Sequence, residues 1–205
     1  MKYNELASQT SVEKTVIELQ NKGYQTLVIK NKAEALAKIK EIIPSGASVM
    51  NGASVTLEQI GFVDYLKSGN HNWNNLHEAI VAETDPQKQA KLRQSAINAD
   101  YYLGSVHALI ENGDFLIASN TGSQLPHIVF TSPNLIFVVS TKKIVPDFNE
   151  AMSRINDYII PLEDTHMQEK YHMNTQLNKI VIFKNENKMM GRKVTLLLVE
   201  EDLGF

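Results

Sequence analysis

The feature that most constrains the fold is a continuous apolar run in the second half of the chain. Residues 135–140 read LIFVVS and contain no charged side chain. A run of this kind is typical of a strand that is buried on both faces, as strands are in the middle of a parallel sheet. It therefore predicts an interior strand of a sheet that other elements cover on both sides.

Helix and strand patterns alternate along nearly the whole sequence, and no low-complexity linker or internal repeat divides it. Alternation of this kind predicts an α/β domain with a mainly parallel sheet. We expect about seven strands and at least six helices in a single domain over residues 1–205, with an N-terminal helix in 1–22 packed on it. Other strand-like segments lie at residues 25–30, 47–50, 179–183 and 194–199.

Local capping signals predict where the helices begin. A side-chain acceptor followed three residues later by Glu or Gln is a capping box, and proline suits the first helical position. The predicted starts are Thr10 with Glu13, Asn31 with Glu34, Thr56 with Gln59 in a helix reaching Leu66, Asp85-Pro86, and Pro146-Asp147 with Glu150.

Composition excludes several classes of protein. Cysteine is absent, which excludes disulfides, cysteine nucleophiles, and iron–sulfur or zinc sites built from this chain's thiolates. The net charge of −3, with lysines scattered among acids, argues against a nucleic-acid partner. No apolar signal region or membrane-length run is present, so we expect a cytoplasmic protein with no membrane partner.

Residues 100–126 (DYYLGSVHALIENGDFLIASNTGSQLP) predict two apolar strands joined by a tight turn at Asn112-Gly113. The second strand leads into a polar loop, residues 120–124, just before a predicted helix. Free backbone N–H groups in such a loop suit an anionic ligand. The candidate ligand-binding residues in this loop are Asn120, Thr121, Gly122, Ser123 and Gln124. A plain turn is the alternative interpretation.

A second polar loop, residues 51–56, also follows a predicted strand and offers Ser54 and Thr56. On its own it is equally well explained as a helix cap. Ligands of open parallel sheets collect outside the carboxyl ends of the strands, and both loops follow strands. The two loops together therefore predict one anion-binding site.

Several charged or titratable residues are candidates for chemistry. His107, near the middle of the first hairpin strand, is a candidate general acid or base, and a buried structural histidine is the alternative. Lys142 and Lys143 follow the central apolar run and could neutralise a carboxylate or phosphate, unless they are surface lysines. Glu58 is a candidate catalytic carboxylate or a complement to a helix dipole. Arg154 is expected to be exposed or paired.

Motifs for metals and cofactors are weak. On a helix, His71 and His77 would point about 120° apart, and His166, Glu169 and His172 span a similar arc, which is wide for one ion. No serine–histidine–acid order, P-loop or GxGxxG pattern is present. We therefore predict neither a metal site nor a cofactor.

Several short segments, taken in order, carry a family resemblance. They are SVTLEQIG (54–61), GSVHA (104–108), IASNTGSQLP (117–126), KIVP (143–146), RI (154–155), PLE (161–163) and LLVEEDLGF (197–205). Together they resemble the LUD domain, a family named for lactate utilisation, in its stand-alone bacterial branch. The resemblance covers nearly the whole chain after the first helix, and its specificity comes from order and spacing. It implies a three-layer α/β fold like that of ribose-5-phosphate isomerase, glucosamine-phosphate deaminase and the CoA transferases.

The resemblance also implies expectations about function. The sugar-phosphate isomerases of the superfamily place an acid before a hairpin, whereas residues 104–110 hold Ser105 and His107 and no aspartate. This difference argues against the isomerase chemistry that depends on that acid. We expect instead a pocket for a small anionic metabolite, either a carboxylate or a phosphorylated sugar, with Ser105 and His107 beside it.

Two alternatives follow from the same resemblance. Some LUD proteins belong to a multi-protein system that oxidises L-lactate to pyruvate, so this chain could be an accessory subunit whose partner is an iron–sulfur oxidoreductase. It could also be an isomerase, hydrolase or CoA-transferase-like enzyme that uses Glu58, Glu111 or Glu163. The apolar terminal strand and the LGF ending could serve a homodimer contact.

Overall fold

The computed structural model describes residues 3–205, apart from the side chains of Tyr171 and Lys188. Within these residues it contains ten strands in two sheets. They are β1 (Gln25–Ile29), β2 (Ser48–Asn51), β3 (Asn74–Asn75), β4 (Tyr101–Gly104), β5 (Ala108–Ile110), β6 (Phe115–Ser119), β7 (Asn134–Ser140), β8 (Ile144–Val145), β9 (Lys179–Phe183) and β10 (Lys193–Val199).

Helices fill most of the connections between the strands. These connections also contain two π-helical turns, His127–Thr131 and Arg154–Ile159, and a 3₁₀ turn, Thr141–Lys143. The α-helices in the described part of the chain are α1 (Gln9–Asn21), α2 (Lys32–Ile42), α3 (Val55–Gln59), α4 (Phe62–Ser68), α5 (Leu76–Ala82), α6 (Pro86–Ala96), α7 (Phe148–Ser153) and α8 (Ile160–Tyr171).

A six-stranded sheet in the order β1-β10-β7-β4-β2-β3 is parallel throughout. The strand β7 contains the LIFVVS run and lies between β10 and β4, with Leu135 to Val139 all buried. This confirms the interior strand that the run predicts. Side chains alternate across a strand, so Ile136 and Val138 join one core and Phe137 joins another.

Three apolar cores hold the layers together. The first packs α2, α3 and α4 on one face of the large sheet, and the second lies between the opposite face, α1 and the smaller sheet. The third joins the smaller sheet to α7 and the π-turn that follows it. The result is the three-layer α/β arrangement that the family resemblance implies, and it contains the mainly parallel sheet that the alternating pattern predicts.

The smaller sheet has the order β8-β5-β6-β9 and contains the predicted hairpin. Antiparallel β5 and β6 are joined through Asn112 and Gly113, and Gly113 has a φ of 81° that suits glycine. The predicted first strand is wrong in one respect, because it is two strands. The chain leaves the large sheet after β4 and crosses to the smaller sheet at β5, so His107 lies in the crossing segment rather than in a strand.

Some predicted helix boundaries differ from those observed. Ser8 rather than Thr10 caps α1, and Ser54 rather than Thr56 caps α3, each hydroxyl accepting a hydrogen bond from a backbone N–H in the first turn. The helix predicted to continue to residue 66 breaks at Gly61, whose φ is 76°. The predicted caps at Asn31, Asp85 and Asp147 are confirmed.

The terminal strand β10 lies inside the large sheet, and the possible homodimer stays a prediction. The strand β10 pairs with β1 on one side and β7 on the other, and its apolar side chains are buried. Leu203 is also buried.

No helix in residues 3–205 combines the length and hydropathy needed to span a lipid bilayer.

Candidate functional site

A cavity of about 450 Å³ lies where β2, β4 and β7 end. Its lining comes from the segments that follow these three strands, from β6 and the loop after it, from α8, and from Gly204 and Phe205. Because all three strands are parallel, their carboxyl ends meet at one edge of the sheet. This is the edge at which the sequence predicts a site.

The cavity brings together all of the predicted site residues except Gly122 and Lys142. Those that line it are Ser54, Thr56, Glu58, Ser105, His107, Asn120, Thr121, Ser123, Gln124 and Lys143. The two exceptions lie next to lining residues.

Lys143 is the most unusual group in the cavity. It is only 4% exposed, and its Nζ lies 3.1 Å from Thr56 Oγ1, 3.1 Å from Ser105 Oγ and 3.3 Å from the carbonyl oxygen of Val106. All four residues line the cavity. Across residues 3–205 as described, no carboxylate forms an ion pair with this amine. The contacts of Lys143 are therefore all neutral oxygens.

The surroundings of Lys143 disfavour its charged form. Desolvation by burial, followed by repulsion from Arg154 and Lys142, holds the pKa of the Lys143 amine well below its usual value. A buried ammonium group is normally paired with an acid. The Lys143 amine instead has three neutral oxygens around it.

Lys142 is oriented differently, although it is the next residue. Its Nζ lies 2.5 Å from a carboxylate oxygen of Asp202 and donates to the carbonyl oxygen of Gly204 at 2.7 Å. Both lysines are buried, so the surface alternative is wrong for each. Only Lys143 lines the cavity, since Lys142 is committed to the segment after β10.

His107 lines the cavity as a neutral ring. The backbone N–H of Ala118 donates to its Nδ1 at 3.1 Å, which places the ring proton on Nε2. Desolvation, with smaller effects from Lys143 and Arg154, lowers the pKa of His107 to about 3. In this arrangement His107 can donate a hydrogen bond from Nε2, but Nδ1 is not available as a base.

Arg154 is buried with 0% exposure, so the exposed alternative is wrong. Its Nη1 donates to the carbonyl oxygen of His107 at 2.9 Å, and its Nη2 donates to that of Phe205 at 2.8 Å. Its guanidinium also lies near the rings of Tyr3 and Tyr158. Arg154 thus connects two segments of the cavity lining, those of His107 and Phe205.

The loop over residues 120–124 differs from the predicted cradle of free N–H groups. The N–H of Gly122 donates to Ser119 Oγ at 2.9 Å, and the N–H of Ser123 donates to Thr121 Oγ1 at 3.3 Å. These side chains satisfy the loop from within, as short polar residues do in turns. The loop contributes polar side chains to the cavity, while Gly122 and Ser123 do not offer free N–H groups.

The loop over residues 51–56 supplies one cap and one contact to the amine. The Ser54 hydroxyl accepts from the N–H of Leu57, whereas the Thr56 hydroxyl faces Lys143. Glu58 follows at the rim, 41% exposed, with its Oε1 3.0 Å from Lys170 Nζ. The catalytic role of Glu58 stays a prediction.

Three further residues of the lining were missed from the sequence. Tyr102 stacks on His127 with ring centroids 4.7 Å apart, and burial lowers the pKa of His127 to about 4. Gly204, with a φ of 68°, approaches Thr56 and Lys143 so closely that a Cβ would lie 3.0 Å from Lys143 Nζ. The position of His127, directly after the polar loop and Pro126, is the one local signal that could have indicated it.

The described residues contain no group of three or more histidine, aspartate or glutamate side chains placed to hold a metal ion. His71 contacts the carbonyl oxygen of Leu66 at 2.8 Å, and His166 lies 3.4 Å from Glu163. His71 and His166, one from each histidine cluster noted in the sequence, therefore each have a local partner.

Comparison with known proteins adds a family and a structural relative. A family model described as the LUD domain matches residues 12–180, whereas no curated protein matches the sequence. The fold is similar to the crystal structure of a DUF162 family protein from Deinococcus radiodurans, with a TM-score of 0.59 and 10% identity over 95% of this chain and 99% of that one. At this identity the likeness shows a shared fold. The family match, extending over most of the chain, shows that this protein belongs to the LUD domain family.

Proposed function

We propose that the protein binds a small anionic metabolite in the cavity beside Lys143, with a carboxylate or a phosphate as the anionic group. The observation that carries the proposal is the buried amine of Lys143, which lines the cavity and contacts only neutral oxygens. The cavity volume of about 450 Å³ falls in the range of roughly 300–1,000 Å³ that is typical of small-molecule sites.

An anionic ligand would reverse the electrostatic situation of Lys143. An opposite charge close to an amine favours its charged form and raises its pKa. A ligand carboxylate or phosphate would therefore bind together with a proton on Nζ. The acids at the rim compete weakly for this role, because Glu58 is paired with Lys170 and Glu163 lies beside His166.

Polar side chains of the crossing segment and of the loop over residues 120–124 would then contact the rest of the ligand. Ser105, Asn120, Thr121, Ser123 and Gln124 offer hydroxyl and amide groups around one cavity. Such groups can hydrogen-bond the hydroxyls of a sugar or a hydroxy acid. They support a ligand that is polar beyond its anionic group.

The test measures the binding of L-lactate, ribose 5-phosphate and inorganic phosphate by calorimetry and by thermal unfolding. We expect at least one of them to stabilise the protein, and Lys143→Met to weaken its binding by about 10- to 100-fold, as loss of a charge-assisted hydrogen bond does. Lys142→Met is the matched control, since it removes a neighbouring buried lysine outside the cavity. Equal binding by wild type and Lys143→Met would contradict the proposal.

We also propose, from the family membership, a connection with lactate utilisation in which an iron–sulfur oxidoreductase is the partner. The absence of cysteine in this chain fits an accessory role, because the redox centre would have to lie on the partner. Deletion of the gene should slow growth on L-lactate, and affinity capture should recover the oxidoreductase. Normal growth on L-lactate would remove this role while leaving the binding proposal intact.

A further inference from the structure

We propose that Lys143 is an amine nucleophile that forms an imine with a 2-oxo acid, a small molecule whose carboxylate is adjacent to its carbonyl group. This inference rests on the proposed anion-binding function and specifies the chemistry of the same cavity. It assigns Lys143 as a catalytic residue, since Nζ would bond to the reacting carbon.

The hydrogen bonds around Nζ suit an uncharged amine, which has two N–H donors and one lone pair. The carbonyl oxygen of Val106 can only accept. Ser105 Oγ donates its own proton to the carbonyl oxygen of Val138 at 2.6 Å, so it accepts from Nζ. Nζ contacts Thr56 Oγ1 as a donor, and the same hydroxyl can turn its own proton toward the lone pair when the amine is uncharged. Two acceptors and one donor thus match the three positions of a neutral amine.

The charges near Nζ point in the same direction. The positive charges of Arg154 and Lys142 both disfavour a positive charge on Nζ of Lys143. Asp202 forms its ion pair with Lys142 and does not neutralise Lys143. A lysine that is desolvated beside other cations is a recognised setting for an amine nucleophile.

The step balances without an oxidant or a reductant. The lone pair of Nζ attacks the carbonyl carbon, and the carbonyl electron pair moves to oxygen. One amine proton passes to that oxygen to give a carbinolamine. The hydroxyl group then leaves as water after taking a second proton, and a carbon–nitrogen double bond forms. The sum is amine plus carbonyl giving imine plus water.

The cavity wall selects the class of carbonyl compound. A protonated imine carries a positive charge at the position where this chain supplies no paired carboxylate within its described residues. A 2-oxo acid brings a carboxylate next to that nitrogen and so neutralises it. A simple aldehyde does not, and a sugar phosphate carries its anionic group farther away.

Neighbouring residues can support the proton transfers. The Thr56 hydroxyl already contacts Nζ and is placed to hydrogen-bond the carbinolamine oxygen. His107 lines the same cavity with its ring proton on Nε2, where it can donate a hydrogen bond. Both are hydrogen-bonding roles that require no change in protonation before the ligand binds.

The experiment uses pyruvate with sodium cyanoborohydride, which reduces an imine to a stable secondary amine. Wild-type protein is then digested and mapped by mass spectrometry. We expect a modification at Lys143 equal to pyruvic acid less one oxygen atom, formed at least about tenfold faster than at exposed lysines. The mapping uses the wild-type chain, so it does not depend on the folding of a variant.

Two controls separate this inference from anion binding alone. L-Lactate has the charge and nearly the size of pyruvate but a hydroxyl in place of the carbonyl, so it can bind without forming an adduct. Lys38→Met, at a lysine of α2 that pairs with Glu41 outside the cavity, should keep the Lys143 adduct. Lys143→Arg should lose the adduct while keeping a cation in the cavity.

The outcomes are distinguishable. If an anion binds and Lys143→Met weakens it, but pyruvate labels Lys143 no faster than exposed lysines, the imine is overturned and the anion site stands. Faster labelling by glyceraldehyde 3-phosphate than by pyruvate would overturn the 2-oxo acid as the ligand class. If no anion binds and no adduct forms at Lys143, both proposals fail.

Discussion

The guanidinium of Arg154 donates from Nη1 to the carbonyl oxygen of His107 at 2.9 Å. His107 lies in the segment that crosses from β4 of the large sheet to β5 of the smaller one. The same guanidinium reaches Phe205 from Nη2. A fully buried cation therefore holds the crossing segment and the last residue of the chain in one position behind the cavity.

Replacing Arg154 by leucine should destabilise the protein by about 3 kcal/mol, because the part-buried main-chain oxygens of His107 and Phe205 lose a charged donor. Arg192→Leu is the matched control. Arg192 also donates from both Nη atoms to two carbonyl oxygens, those of Ile128 and Val129, but it is only half-buried. We expect it to lose about 1 kcal/mol in urea unfolding. Equal losses for the two variants would show that burial of Arg154 contributes nothing extra.

Gly204→Ala should be more harmful than an alanine at another glycine of similar conformation. Gly204 and Gly46 have φ values of 68° and 83°, but only at Gly204 would a Cβ meet other atoms, those of Thr56 and Lys143. Strain at positive φ should lower stability by about 1 kcal/mol in Gly46→Ala and by about 3 kcal/mol in Gly204→Ala, where the contact adds to it. Thermal unfolding of both variants measures the difference. A Gly204→Ala variant as stable as Gly46→Ala would contradict the close packing.

Stability should fall as the pH drops below about 6.5, because His127 is buried and neutral. Its pKa is lowered by burial to about 4, so between these values the unfolded chain binds a proton that the folded chain does not. Each pH unit in this interval should remove roughly 1.4 kcal/mol. The lowered pKa of His107 acts in the same direction.

The pH effect can be measured by urea unfolding of His127→Gln. This variant should lose less stability than wild type between about pH 6.5 and pH 4. His172→Asn, at an exposed residue with positive φ that asparagine tolerates, is the control. A wild-type slope in His127→Gln would argue that His127 is not the titrating group.

Lys143→Met should stabilise the protein in the absence of ligand, by about 1–3 kcal/mol at pH 7. The pKa of Lys143 is lowered by burial, so below pH 10.5 the unfolded chain binds a proton that the folded chain gives up or holds unfavourably. Methionine fills similar space without this penalty. The gain should shrink as the pH approaches the usual lysine pKa. A loss of stability at pH 7 would show that the contacts of Nζ outweigh its burial.

Much of the fold could be predicted because its signals are local. The LIFVVS run, the Asn112-Gly113 turn and the caps at Asn31, Asp85 and Asp147 each depend on a few neighbouring residues. The errors have the same origin. Ser54 and Thr56 are both good capping residues near the start of the same helix, and the local pattern does not decide between them.

The meeting of polar loops at the carboxyl ends of parallel strands could be predicted from the amino-acid sequence, because strand direction and loop position follow from order along the chain. Which side chains enter the cavity depends on the folded arrangement. Lys142 and Lys143 are adjacent in a 3₁₀ turn and so point in different directions, one to Asp202 and the other to Thr56 and Ser105. Those partners lie far from both lysines in sequence, so no local pattern could indicate which lysine contacts which of them.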